Sequence, residues 1–264
     1  MNDGVIHREK DGVPYFVFPA LQGFPEISHA VFTRHGGVSP GTCSSLNIGR
    51  NVGDEPENVA ANKSRMARLL DARELVFLRQ VHGPDVVHVE PLPEPPEGGL
   101  RQIEDRADAM VTTAPGVFLA MTVADCQPLL LYDPIRKVVA AAHSGWRGSL
   151  VNVAGATVRA MEARHGTNPA DVVACVGPSL GPCCAEFVNY EIEIPSRFRG
   201  YRVGEHHFDF WKITRDQLRD AGLEEDNIHV AGVCTRCRTD LFFSYRQEKF
   251  TGRFAAVIGV REPK

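Results

Sequence analysis

The chain predicts an α+β fold built on mixed β-sheets. Strand-like runs are numerous, amphipathic helical stretches are few, and the two do not alternate as they would in a doubly wound parallel sheet. In chain order the strand candidates are "VPYFVFP", "HAVFTRHGG", "LVFLRQVHG", "DVVHVE", "DAMVTTAPGVFLAMTVAD", "PLLLYD", "KVVAAAHSG", "DVVACVGPS", "IHVAGVC" and "FAAVIGV". Each is short, rich in Val, Ile or Phe, and bounded by turn residues. Three stretches carry helical spacing. "EPENVAANKSRMARLLD" has Pro56 and acidic residues at its start, which suit the first turn of a helix. "SLVNVAGATVRAMEARHG" runs from a serine-containing entry to Gly166, a residue suited to the left-handed C-terminal cap, and "DFWKITRDQLRDAG" ends in the same way at Gly222. Residues 90 to 106, "EPLPEPPEGGLRQIEDR", suit neither element because of their prolines and glycines, and read as a surface loop between strands.

The 264 residues, 43% hydrophobic and 23% charged, have the proportions of a globular chain with a sizeable core. Candidate functional residues stand on both sides of the 90–106 loop, so a single domain over residues 1–264 is expected. A net charge of -4 with no basic stripe argues against nucleic acid as partner. No run is long and apolar enough for a membrane span, and "MNDGVIHREKDGVPYF" lacks a signal pattern, so no membrane partner and a cytoplasmic location are expected. Seven cysteines, an odd count in a mid-sized chain, are not a dense disulfide framework, and most are expected to be reduced.

Three strand-like runs end in a metal-ligand type: His82 in "RQVHG", Cys126 in "TVADCQP" and His143 in "AAHSGWRG". Two imidazoles and one thiolate hold a transition metal and leave a position open, as in catalytic zinc sites. Cys126 and His143 bracket "CQPLLLYDPIRKVVAAAH", which reads as a hairpin turning at Asp133-Pro134 and returning its second end beside its first. Nothing local forces His82 to join them. The bland reading is a small core cysteine and two hydrogen-bonded histidines. A second functional reading makes Cys126 a nucleophile and His143 its base.

The glycine-rich "FTRHGGVSPGTCSSLNIG", residues 32 to 49, offers Arg34, His35 and Asn47 but lacks the spacing of a nucleotide-binding loop. "HSGWRGSL" precedes a helix, where Arg147 is placed for a phosphate and Trp146 for core packing or stacking. "CTRC", Cys234 to Cys237, has no second CxxC and reads as structural. Cys183-Cys184 has no partner pattern, and His206-His207 read as exposed. Ten histidines without one His-x-His pair argue against a multicopper centre.

The segments "FTRHGGVSPG...SLN", "QVHG", "DAMVT...PG", "TVADCQPLLLYD", "AAHSGWRG", "VGPSLGPCC" and "CT...FFSYR...TGR", in this order over about residues 30 to 260, resemble the YfiH-type family, whose members are often labelled laccase-domain or polyphenol oxidase proteins. The resemblance implies a purine nucleoside phosphorylase that acts on adenosine, inosine and methylthioadenosine and also deaminates adenosine. It implies purine nucleosides and phosphate as small-molecule partners, and zinc, or copper in its place, on His82, Cys126 and His143. It also implies a four-layer α/β/β/α fold similar to the cytotoxic necrotizing factor catalytic domain, two mixed sheets sandwiched by helices. Some bacterial relatives are linked to editing of peptidoglycan precursors, which gives the alternative of a cysteine or metal hydrolase. On this reading Cys126, His143 and Asp125 are catalytic, with Asp125 moving protons. Arg34 and Arg147 hold phosphate, and Asn47 or His35 binds the nucleoside. Gln127, Ala185 and Gln247 depart from the family pattern without touching the three ligands. Monomer and homodimer are both open.

Overall fold

The computed structural model describes residues 4–263. Its strands are β1 (Ile6–Lys10), β2 (Val13–Val17), β3 (Ile27–Phe32), β4 (Glu74–Arg79) and β5 (Val86–His88). Next come β6 (Leu100–Arg106), β7 (Ala109–Thr112), β8 (Val117–Val123), β9 (Gln127–Asp133) and β10 (Val138–Ser144). The last are β11 (Val173–Val176), β12 (Arg202–Val203), β13 (His207–Phe208), β14 (Ile228–Val230) and β15 (Phe254–Val260). One mixed sheet has the order β1-β2-β3-β15-β8-β4-β6 and a second β14-β11-β9-β10-β7-β5, while β12 and β13 form a small ribbon. The α+β class with mixed sheets is what the sequence predicts.

Strands β9, β10 and β15 are buried along their whole length, on both faces, and are accordingly mostly apolar. Side chains alternate across a strand. In β8, Val117, Leu119 and Met121 point into a core shared by the two sheets, while Phe118 and Ala120 point to the other side, toward the Pro56–Leu70 helix and its neighbours. In β9 and β10, Leu130, Tyr132, Val139 and Ala141 face the shared core. Leu129, Leu131, Val138 and Ala140 face outward onto the core that includes Val153, Val158 and Leu218, from helices Val153–His165 and Phe210–Asp220.

The helix ends follow local chemistry. Pro56 occupies the first turn of its helix. Helix Val153–His165 starts at Asn152, whose side chain accepts from Gly155 N, and closes on Gly166 at φ 66°. The expected serine entry instead belongs to a separate short helix, Trp146–Leu150. Asp209 caps the third helix by accepting from Lys212 N, and Gly222 follows its end at φ 101°. Among the described residues no helix is long and apolar enough to cross a membrane.

Four strands escape the sequence reading, among them the two-residue strands β12 and β13. The second half of the expected 90–106 loop is β6, which pairs in parallel with β4, and β1 pairs with β2 at the sheet edge. Exposed faces leave β1 and β6 polar: four of the five β1 residues are exposed, as are the last three residues of β6.

Candidate metal centre

The topology brings the three proposed ligands to one rim. Strands β4, β6 and β8 run parallel in the first sheet, so their C-terminal ends share an edge. Each is followed by a crossing to the second sheet, into β5, β7 and β9. The three crossings supply His82, Asp108 and Cys126. His143 sits near the end of β10, where it pairs with Pro128 at the start of β9. The hairpin turn is the expected one: the Asp133 carboxylate accepts from Ile135 N and Arg136 N at 2.8 and 3.0 Å.

Ligand atoms of His82, Cys126 and His143 all lie within 4.8 Å of one another. Cys126 Sγ is 3.9 Å from His82 Nε2, and the two imidazoles meet edge to face at 4.7 Å between centroids. Burial is graded, with His143 buried, Cys126 half-buried and His82 exposed, so the group opens toward solvent through His82. Gly145 makes room for it, because a Cβ there would lie 2.7 Å from His82 Cδ2 and 2.9 Å from Cys126 Sγ.

What draws His82 in is tertiary. The Gln80 amide pairs with the Thr122 backbone, donating to its carbonyl at 2.8 Å and accepting from its N–H at 2.9 Å. The backbone then turns left-handed at His82, φ 62°, and aims three successive N–H groups at Asp108. Val81, His82 and Gly83 donate to its carboxylate at 3.0, 2.9 and 2.7 Å. That carboxylate is fully buried and also takes His143 Nδ1 at 2.7 Å, which leaves Nε2 of His143 as the nitrogen free for a ligand. A carboxylate behind a ligating histidine fixes its ring and tautomer. The donor set and its support fit a zinc-class ion.

Electrostatics tie the group together. Burial alone would raise the Cys126 thiol, but the charge of His143 and hydrogen bonds from His143 and His82 bring it down to about 6. Burial likewise opposes charge on His143, yet the Cys126 thiolate and Asp108 raise it to about 9. Without metal, Cys126 and His143 are a thiolate–imidazolium pair.

The other expected site residues fall into two sets. Arg147 lies at the cleft that also holds Cys126, with its guanidinium 4.1 Å over the Trp146 ring. Asp125 lines the same cleft, but its carboxylate accepts from Thr235 Oγ1 and Ser244 Oγ at 2.7 Å each and from Arg246 N at 2.6 Å. Arg34 is bonded to Glu248, Thr239 O and Ser44 O. Asn47 is buried, accepting from Gly49 N and Arg253 N and donating to Asp54. His35 is exposed and bonded to Asp240 O. None of Arg34, His35 and Asn47 lines the clefts beside Cys126.

Two clefts meet at the ligand group. One, about 310 Å³, is walled by Trp146, Phe187, Phe210 and Tyr245, with Arg147 and Arg246. The other, about 750 Å³, carries Arg50, Arg79 and Arg253. Both reach His82, Cys126 and Tyr245. The sequence reading missed Asp108, Gly145, Tyr245 and Arg246. An acid directly before a strand in "RADAMVT" was the only local sign of Asp108.

Two further sequence expectations change. His206 and His207 are half-buried, His206 lying 6.1 Å from the Tyr190 ring. Trp146 keeps to its expected packing role, half-buried against the core that holds Phe187, Phe208 and Phe210, and it also walls a cleft. Cys183-Cys184 and "CTRC" are each other's partners: Cys183, Cys184, Cys234 and Cys237 form the second group of potential metal ligands among the described residues. Neither group gathers the histidines that a multicopper centre needs.

Comparison with known proteins places this geometry. The family model described as "Multi-copper polyphenol oxidoreductase laccase" matches residues 28–261. The "Purine nucleoside phosphorylase YlmD" of Geobacillus stearothermophilus is 35% identical over 91% of this chain and 93% of its own length. The "Purine nucleoside phosphorylase YfiH" of Escherichia coli is 34% identical over 86% of this chain and 90% of its own. The crystal structure of YlmD from Geobacillus stearothermophilus superposes with a TM-score of 0.84 at 32% identity, covering 98% of this chain and 100% of that one. Matching in sequence and in fold over nearly its whole length, the chain belongs to the YfiH/YlmD family of laccase-like domain proteins.

Proposed function

We propose that the chain is a cytoplasmic, zinc-dependent purine nucleoside phosphorylase acting on adenosine, inosine and methylthioadenosine, with adenosine deaminase activity at the same site. The relatives' names support the reaction class. The observation that carries the reading is the place of His82, Cys126 and His143 where an aromatic cleft meets an arginine-lined one. A planar purine suits the first, stacked among Trp146, Phe187 and Tyr245. A phosphate suits the second, where guanidinium groups bind its oxygens. The reacting sugar carbon then falls between them, beside the metal ligands. A zinc ion held by His82, Cys126 and His143 would supply a Lewis acid; in phosphorolysis phosphate displaces the base at the sugar's anomeric carbon, whereas in deamination water adds at C6 of the adenine ring and ammonia leaves. On this reading the fold is the four-layer arrangement that the resemblance implies.

The residues have distinct roles in this scheme. Asp108 holds His143 and the 81–83 backbone so that the ligands are in place before substrate arrives. Arg147 closes the purine cleft. Arg253, whose backbone N–H is held by Asn47, faces the phosphate cleft. Asn47 is thus a positioning residue, as is Arg34 through Glu248. With three donors on its carboxylate, Asp125 holds Thr235, Ser244 and Arg246 in place behind Cys126.

One observation favours a second reading. In metal-free protein, Cys126, His143 and Asp108 have the order of nucleophile, base and orienting acid, which suits a hydrolase acting on peptidoglycan precursors. Product analysis separates the two. Metal-quantified protein is incubated with each nucleoside, with and without phosphate. Free base and sugar 1-phosphate, formed only with phosphate, are expected, and adenosine alone is expected to give inosine. No turnover from fully metallated protein would overturn the purine reading and leave the hydrolase.

A further inference from the structure

The four-cysteine group lies apart from the ligand trio, and nothing in the proposed reaction uses it. Its two halves are brought together by backbone pairing. Strands β11 and β14 run in parallel, and beyond them the chains stay side by side through a bridge between Ser179 and Cys234. Ser179 N donates to Val233 O at 3.1 Å and Thr235 N to Ser179 O at 3.0 Å. The first chain then turns back on itself, Cys184 N and Ala185 N both bonding Gly181 O at 2.9 Å. That turn delivers Cys183 and Cys184 onto Cys234 and Cys237.

The sulfur geometry is that of a coordination shell. All four Sγ atoms lie within 4.8 Å of one another, with Cys183–Cys237 at 3.7 Å and Cys184–Cys237 at 3.5 Å. A zinc ion with four sulfurs at about 2.3 Å places neighbouring sulfurs about 3.8 Å apart. A disulfide needs about 2.05 Å, and all four thiols are free. The Gly181 N–H donates to Cys234 Sγ at 3.3 Å, the kind of outer hydrogen bond that supports a metal thiolate. Cys184 and Cys234 are buried while Cys183 and Cys237 are exposed, which gives an ion a way in.

The geometry points to a second metal site: Cys183, Cys184, Cys234 and Cys237 bind a zinc-class divalent ion in a closed tetrathiolate shell, independently of His82, Cys126 and His143. Binding exchanges four thiol protons for one ion. With no open position the site is structural. It clips together two segments that both hold Asp125: Leu180 N donates to the Asp125 carbonyl and Thr235 Oγ1 to its carboxylate. The ion therefore braces the wall behind Cys126.

Native mass spectrometry of protein purified under reducing conditions, together with the absorption spectrum of cobalt-substituted protein, tests this. The wild type is expected to carry two ions per chain, and Cys126→Ala and Cys237→Ser one each. The cobalt protein should show the intense charge-transfer and visible bands of a four-sulfur site, retained in Cys126→Ala. A single wild-type ion that Cys126→Ala loses, or loss of the four-sulfur spectrum in Cys126→Ala, would overturn it, whereas a single ion that Cys126→Ala keeps would count against the trio and not against this site. A disulfide joining the two segments in the reduced preparation would also overturn it. Cys237 is exposed, and should its variant still fail to fold, the wild-type count and the Cys126→Ala count and spectrum decide.

Discussion

At the scale of single residues, the ligand group depends on one carboxylate and one missing side chain. Asp108 takes three backbone N–H groups and His143 at once, so its charge is what keeps His82 and His143 converged. Asp108→Asn is predicted to weaken metal affinity on the order of 10–100-fold, the usual cost of losing such a partner, measurable by competition with a chelator. Unchanged affinity would show that the ligands hold their own positions. Gly145→Ala should act from the other side by driving a methyl group into His82 and Cys126, lowering metal content more than thermal stability. Cys126 offers a pH test. Its thiol is held near 6 in metal-free protein, so alkylation should stay fast at neutral pH, slow as pH falls through about 6, and be blocked by zinc. A rate that rises only above about pH 8 would contradict the thiolate–imidazolium pair.

Elements differ in how much of themselves they write into the sequence. Strands β8, β9, β10 and β15 were legible because burial on both faces demands unbroken apolar runs. Leu130→Ala in β9 should cost about 2–5 kcal/mol by chemical denaturation while leaving metal content intact. Strands β1 and β6 were illegible because one exposed face leaves them as charged as loops. The pairing of Cys183-Cys184 with "CTRC" was hidden for another reason: it depends on β11 and β14 lying side by side, which no local pattern records. Arg34 and Asn47 bond groups of their own chain, which the sequence does not reveal because a charged or amide side chain in a glycine-rich segment looks the same whether it binds a ligand or its own backbone. In β3, buried His29 accepts from Phe18 N, and burial with the Arg261 charge lowers its pKa to about 4. The unfolded chain therefore binds a proton near pH 6.5 that the folded chain refuses until about 4. Stability from this residue is present above about 6.5 and lost as pH falls toward 4, on the order of 3 kcal/mol across the window. Denaturation of wild type and His29→Leu from pH 7 to 4 should show the steeper loss in the wild type, and parallel curves would contradict this.

For the whole molecule, the two sheets matter most for where the chain passes between them. Three parallel strands of one sheet end at one rim, and their crossings bring His82, Asp108 and Cys126 to His143 of the other. The same rim is where the aromatic and arginine-lined clefts meet. On the proposed function this rim binds metal and performs phosphorolysis as one unit. The most direct test measures metal content and phosphate-dependent release of base from inosine side by side in wild type and Cys126→Ala. The variant is predicted to keep its fold by circular dichroism, lose the ion at this site and lose turnover. A folded Cys126→Ala protein that lacks this ion yet releases base at the wild-type rate would contradict the account.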